Sequence, residues 1–299
     1  VNFQDLIHPQ IVLQSPYEVH HFRFNPFNPN IIAGGCISGQ VILWDVREAL
    51  QKFEEMNSRG SKSSKDGTSD DSRSVLPPVK PTYLSSIDGS HKRPVTDIVW
   101  LPKGMEVTHK GAIVSEDAES GQQFLTISGD GHLMIWDLRF KEIAKKKAAM
   151  SRSDSKADKD GEVEWNPHFS LLLTKLNGVG ELALRKISIS NDPSTAFIVT
   201  TEEGEIVDAD WRPGGAAAKK SGGSNKESEE DGDSSAGPRT VRTINQDHFR
   251  PCVSLQRSPF FKDIYLSVGD WSFNIWKTGV DSPIFSSAFS PTYLTAGLW

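Results

Sequence analysis

Cysteine is scarce in this chain: Cys36 and Cys252 are the only two in 299 residues. Two thiols make neither a disulfide framework nor a multi-cysteine zinc site. Asn-x-Ser/Thr acceptors are absent as well, and together these point to a reducing, intracellular compartment. No apolar run approaches the ~18 residues that span a bilayer, so no membrane partner is expected. Basic excess is also lacking. With 33 Lys+Arg against 39 Asp+Glu, the formal charge is −6, and the basic face that nucleic acid demands is missing. Val1 to Gln10 show no basic stretch leading into an apolar one, so no secretory signal is expected. The chain opens on Val and reads as part of a longer protein.

What the sequence does contain is a repeat. Gly39-Gln-Val-Ile-Leu-Trp44-Asp45, Gly131-His-Leu-Met-Ile-Trp136-Asp137 and Trp271-Ser-Phe-Asn-Ile-Trp276-Lys277 alternate apolar with other residues up to a Trp, which is the period of a strand. Each follows a short turn, Ser38-Gly39, Asp130-Gly131 or Asp270-Trp271, of the kind that closes a tight hairpin. Upstream lies a second shared block: Val19 to Pro26, Val95 to Pro102, Cys252 to Pro259, Ile284 to Pro291 and, more weakly, Leu184 to Asn191. The two blocks keep their distance. Phe24 to Trp44 is 20 positions, Arg257 to Trp276 is 19, and 20 positions from Ile189 lands on Ala209. Trp100 to Trp136 is 36 positions, the excess lying in a polar stretch between Lys103 and Gln122.

The units so defined are 17–46, 91–138, 182–211 and 248–278, with the start of a further unit at 283–299. They are separated by polar insertions at 57–74, 141–162 and 213–238, too poor in apolar residues to offset the entropy of ordering. These read as mobile surface loops. Each unit holds four short strands: one such as Val19–Phe24, one such as Ile31–Gly34 or Phe124–Ser128, the strand ending at Trp, and a fourth. The only helical pattern is a short one at Arg47 to Asn57. Four-stranded units at this period are blades of a β-propeller, and one blade buries its faces only against its neighbours. The predicted fold is therefore all-β, with four to five blades represented. Twenty positions beyond Phe289 falls past Trp299, so the last unit is cut and a longer chain is expected to close the ring.

At Trp44-Asp45 and Trp136-Asp137 the repeat resembles the WD-repeat family. The resemblance implies a hydrogen-bonded chain in the second unit through His91, Ser128, Asp130 and Trp136. A buried indole N–H needs an acceptor, and a satisfied polar network rigidifies what it joins. In the fourth unit it implies His248, Asp270 and Trp276, with Val268 where the hydroxyl belongs. The first unit carries Ser38 for Asp and Cys36 for Ser, and the third has lost its Trp to Ala209, with Trp211 two positions on. The runs Pro29 to Cys36, Gly39 to Asp45, Thr201 to Glu205 with Ala209-Asp-Trp211, Ser267 to Trp271 and Leu294 to Trp299 resemble dynein intermediate chains. Among these the chain is most similar to axonemal inner-arm, two-headed dynein members of the WD-repeat 63 type. That resemblance implies a ring of about seven blades and a non-catalytic scaffold of the ciliary or flagellar axoneme. The implied partners are the dynein heavy chain tail, a second dynein intermediate chain, and dynein light chains bound through a region absent here. Contact with the axonemal microtubule doublet would be indirect. The alternative is a generic WD-repeat adaptor of another intracellular complex.

No acid, base and nucleophile stand together, so no catalytic residue, cofactor or metal is assigned. A propeller enzyme would need ionisable residues at the starts of the inner strands, and those positions read as Val, Ile, Phe and Ala. His20-His21 is not read as a metal pair, because neighbours on a strand face opposite ways. Asn177-Gly-Val-Gly180 lacks the rest of a phosphate loop and reads as a turn. Lys145-Lys-Lys147 and the acidic run Glu227 to Asp233 read as solvated loops, the latter without calcium-loop spacing.

Overall fold

The computed structural model describes residues 9–60, 77–114, 121–150, 163–176, 180–212 and 239–299. Four sheets of four strands each follow one another along the chain. The first is β1 (Val19–Phe24), β2 (Ile31–Cys36), β3 (Val41–Asp45) and β4 (Tyr83–Leu84). The second is β5 (Val95–Trp100), β8 (Gln123–Ser128), β9 (His132–Asp137) and β10 (Phe169–Leu172). A separate hairpin of β6 (Glu106–Val107) and β7 (Ile113–Val114) interrupts it. The third comprises β11 (Leu184–Ile189), β12 (Ala196–Thr201), β13 (Glu205–Asp210) and β14 (Val241–Gln246). The fourth comprises β15 (Cys252–Arg257), β16 (Ile264–Gly269), β17 (Ser272–Lys277) and β18 (Phe285–Ser286). The pairings are antiparallel throughout.

The first strands β1, β5, β11 and β15 pack on one another in that order, which makes them the inner strands of a propeller arc. Alternation along each strand sends one set of side chains to each neighbouring blade. Ala33, Val41 and Leu43 meet Val95, Ile98, Phe124 and Met134 between the first and second sheets. From the other face of the second sheet, Leu125, Ile127, Leu133 and Ile135 meet Leu184, Ile187, Phe197 and Val199. Ile198 and Ile206 then meet Cys252, Leu255 and Tyr265. Burial on both faces explains why one blade does not stand alone.

Each inner strand carries a register shift near its start: Val19/His21, Val95/Asp97, Leu184/Lys186 and Cys252/Ser254. Such a bulge breaks the strict alternation of a strand and re-aims a side chain. It turns His20 and His21 to the same neighbour, β5: His20 Nδ1 lies 3.3 Å from the Val95 carbonyl oxygen and His21 Nε2 lies 3.0 Å from Asp97. The expectation that these histidines face opposite ways is thus corrected. Among the described residues no group of three or more His, Cys, Asp or Glu is placed to hold a metal ion.

Three further expectations change. Helix α1 (Arg47–Gly60) fills the predicted helical stretch and enters the insertion at 57–74, whose residues 61–74 lie outside the described set. Residues 141–150, expected in a mobile loop, form helix α2 (Phe140–Met150). Ile143 and Ala144 are half-buried on one side while Lys145 and Lys146 are exposed on the other, so the basic run belongs to a helix. Residues 151–162, 213–238, including Glu227 to Asp233, and 177–179 lie outside the described residues. Lastly, Phe285–Ser286 does not open a fifth unit. It pairs with β17, Asn274 to Ser286 and Ile275 to Phe285, and closes the fourth sheet. The outer edge of β17 has unpaired backbone groups to satisfy, and Phe285 adds a ring contact at 5.9 Å with Phe273. The segment ending at Trp299 instead lies across the fourth sheet, with Gly297 against Val268 and Leu266 of β16 and in reach of β15. There the Ser254 hydroxyl donates to the Gly297 carbonyl at 2.7 Å, and Trp299 Nε1 donates to the Gln256 carbonyl at 3.1 Å.

Candidate functional site

In the second sheet β9 delivers Trp136 next to Phe124 on β8. The fully buried indole reaches two residues along the same face and donates from Nε1 to Thr126 Oγ1 at 2.8 Å. The Thr126 hydroxyl meets His91 Nε2, also at 2.8 Å, and His91 Nδ1 lies 3.3 Å from Asp130 Oδ1. With the Thr126 proton given to Nε2, the ring proton sits on Nδ1 and points at the carboxylate. Asp130 further accepts the backbone N–H groups of Lys92 at 2.8 Å and His132 at 3.0 Å. Burial alone would raise the Asp130 carboxyl, but the hydrogen bonds from His91, Lys92 and His132 hold it well below the usual carboxylate range. The result is a line of buried polar groups from the turn to the blade interior.

The fourth sheet repeats it. Trp276 Nε1 donates to Ser267 Oγ at 2.8 Å, and His248 Nε2 lies 2.8 Å from the same oxygen. His248 Nδ1 stands 3.8 Å from Asp270, beyond hydrogen-bond reach. Asp270 is occupied instead by the N–H groups of Phe249, Trp271 and Ser272 at 2.8, 2.6 and 3.0 Å. It adopts a positive φ of 49°, the left-handed conformation that Asp and Asn tolerate best among non-glycines. Burial holds the His248 ring below its ordinary pKa, against the opposing pull of Asp270.

The hydroxyl of this chain is therefore Thr126 and Ser267, not Ser128 and the position of Val268. Ser128 Oγ donates to the Arg93 carbonyl at 3.0 Å, tying the turn to the strand before it. The physical reason lies in register: the indole leans over the residue two places from its own cross-strand partner, Phe124 or Tyr265. Setting Phe124 to Ser128 beside Tyr265 to Gly269 would have put both hydroxyls in one column.

The first and third sheets lack the chain. Trp44 Nε1 donates to the Gln14 carbonyl at 2.8 Å. Gly34 occupies the hydroxyl position, where a Cβ would come within 2.7 Å of the Trp44 ring. Cys36 is buried, and Ser38 makes only long contacts with Gln40, accepting from its N–H and donating to its Oε1 at 3.4 Å each. In the third sheet Trp211 stands in for the Trp missing at Ala209, stacked on Phe197 at 5.6 Å, and donates to the Gly111 carbonyl at 3.1 Å. Asp45, Asp137 and Asp210 share a role that the sequence reading missed. Each accepts the backbone N–H of the arginine two residues on, Arg47, Arg139 and Arg212. Asp-x-Arg after the third strand was legible three times. Trp165 was missed too; it packs at 5.3 Å from Trp136 and 5.8 Å from Phe140 beneath helix α2.

The inner strands are not purely apolar, contrary to expectation. Asp97 on β5 is buried at 3 % exposure. It lies 3.0 Å from His21, 4.0 Å from Arg23 and 3.8 Å from Lys186, and accepts the Ile187 N–H at 3.2 Å. One carboxylate thereby joins the inner strands of three blades.

Comparison with known proteins identifies the lineage. The family described as the dynein axonemal intermediate chain 3 WD40 domain matches residues 1–194 and 184–299. The chain belongs to that family. Dynein axonemal intermediate chain 3 of Danio rerio is 30% identical over 100% of this chain and 34% of its own length. The protein of the same name from Homo sapiens is 28% identical over 100% of this chain and 38% of its own. A Chlamydomonas reinhardtii relative named as the 70 kDa dynein intermediate chain of the flagellar outer arm is 24% identical, covering 93% of this chain and 34% of its own length. This WD40 chain thus spans a little over a third of the length of the relatives it matches.

Proposed function

We propose that the chain is the propeller of a non-catalytic intermediate-chain subunit of an axonemal inner-arm dynein. In this reading it docks on the heavy chain tail beside a second intermediate chain, and light chains bind through another part of the subunit. It supports motor assembly and attachment to the doublet in the axoneme of a cilium or flagellum, and ATP hydrolysis belongs to the heavy chain. The observation that carries the reading is the family match along the whole chain. Its buried histidines, carboxylates and tryptophans are consumed in pinning blades, which suits a rigid platform. The inner-arm assignment rests on the overall resemblance of the sequence to intermediate chains of that type.

Affinity purification of the full-length protein from ciliated cells tests this. Recovery of inner-arm heavy chains is the expected result. Recovery of outer-arm heavy chains alone would reassign the arm, and recovery of no dynein subunit would overturn the reading.

A further inference from the structure

The inner strands hold more positive charge than they use. Arg23 on β1 and Lys186 on β11 approach the single carboxylate of Asp97 only at 4.0 and 3.8 Å. Asp97 is already engaged by the N–H groups of Ile98 and Ile187 at 3.0 and 3.2 Å and by His21 at 3.0 Å. Arg185 adjoins Lys186 on β11 and is half-buried. Arg23, Arg185 and Lys186 thus outnumber the Asp97 carboxylate by two. Burial and the guanidinium charges of Arg23 and Arg185 hold the Lys186 ammonium below its ordinary pKa, against the attraction of Asp97. Crowded, partly desolvated cations of this kind are relieved by an added anion. The Arg23 side chain is 55 % exposed and that of Lys186 is 21 % exposed, so both are open to a ligand.

We infer that Arg23 and Lys186 form a carboxylate-binding site on the inner strands, its occupant an acidic segment of a partner polypeptide. The chain as a whole carries −6, so a long polyanion such as nucleic acid is repelled by the surroundings. A few carboxylates on a narrow extended segment match a local positive island between three blades. Arg23 supplies a forked donor set suited to a carboxylate, and Lys186 a point charge. The inference does not depend on which motor the chain serves.

Fluorescence anisotropy of the purified protein with a fluorescein-labelled Glu-rich peptide, beside its Gln-for-Glu counterpart, tests it. The Glu peptide should bind saturably, the Gln peptide should not, and rising ionic strength should weaken the binding. The double variant R23Q/K186Q should weaken it about tenfold, from two partly exposed ion pairs, while R23K/K186R should retain most of it. A thermal melt matching the parent shows that these variants fold. The assignment is overturned by absence of saturable binding, by equal binding of R23Q/K186Q, or by a Gln peptide that binds as well. Inorganic phosphate binding as tightly as the Glu peptide would mark a free-ion site and overturn the polypeptide occupant.

Discussion

Replacing Thr126 by Val keeps the volume of the side chain and removes only its hydroxyl. In the parent that oxygen receives the Trp136 indole N–H and faces His91 Nε2, both at 2.8 Å, and all three residues are at most 1 % exposed. Water does not reach the site to replace the lost partner. Leaving one buried donor and one buried acceptor unpaired costs ~1–3 kcal/mol each, so Thr126→Val should destabilise by about 2–6 kcal/mol. Ser128→Ala deletes a single hydroxyl bond to the Arg93 carbonyl and should cost about 1 kcal/mol. Urea unfolding followed by Trp fluorescence measures both, with the shift in midpoint read at unchanged m. If Ser128→Ala costs as much as Thr126→Val, the hydrogen-bond chain has been drawn through the wrong residue.

Trp136→Ala should destabilise by about 3–5 kcal/mol, as other large truncations in a core do; a calorimetric loss under about 1 kcal/mol would contradict its complete burial. Gly34→Ala forces a Cβ to 2.7 Å from the Trp44 ring and should cost about 1–3 kcal/mol by overpacking, seen as a lower urea midpoint; an unchanged midpoint would mean that the first blade yields freely. His248 has a folded-state pKa below its unfolded value. Its contribution is complete above about pH 6.5 and is lost as pH falls through that value, where the unfolded chain takes up a proton first. Urea midpoints should therefore drop between about pH 7.5 and pH 5.5 in the parent and drop less in His248→Gln; identical slopes would refute the assignment.

The blade count and strand order were largely legible, because the interval from the first-strand aromatic to the Trp repeats while the loops between vary. Three misreadings share one physical cause. Thr126 was passed over for Ser128 because the motif was counted from the turn, whereas the side chains meet according to cross-strand register. His20 and His21 were given opposite faces because no sequence pattern announced the bulge between Val19 and His21. Phe285 and Ser286 looked like the first strand of a new unit because inner and outer strands share the same apolar alternation, and only pairing to β17 tells them apart. Helix α2 was hidden because composition alone made Lys145 to Lys147 look like part of a loop. The Asp97 cluster draws on three separate blades, a proximity that exists only after they stack.

The small hairpin of β6 and β7 looks dispensable, sitting where an ordinary propeller loop would be short. Its tip, however, lends the Gly111 carbonyl to Trp211 of the following blade, and a Cβ at Gly111 would fall 2.9 Å from the Phe169 ring. At its base the Gln123 side chain clasps both backbone groups of Val107, at 2.7 and 3.1 Å. The third blade, which lost the tryptophan of the repeat, has thereby come to lean on an appendage of its neighbour. Anyone trimming that appendage to simplify the protein would be removing a prop from a different part of the molecule.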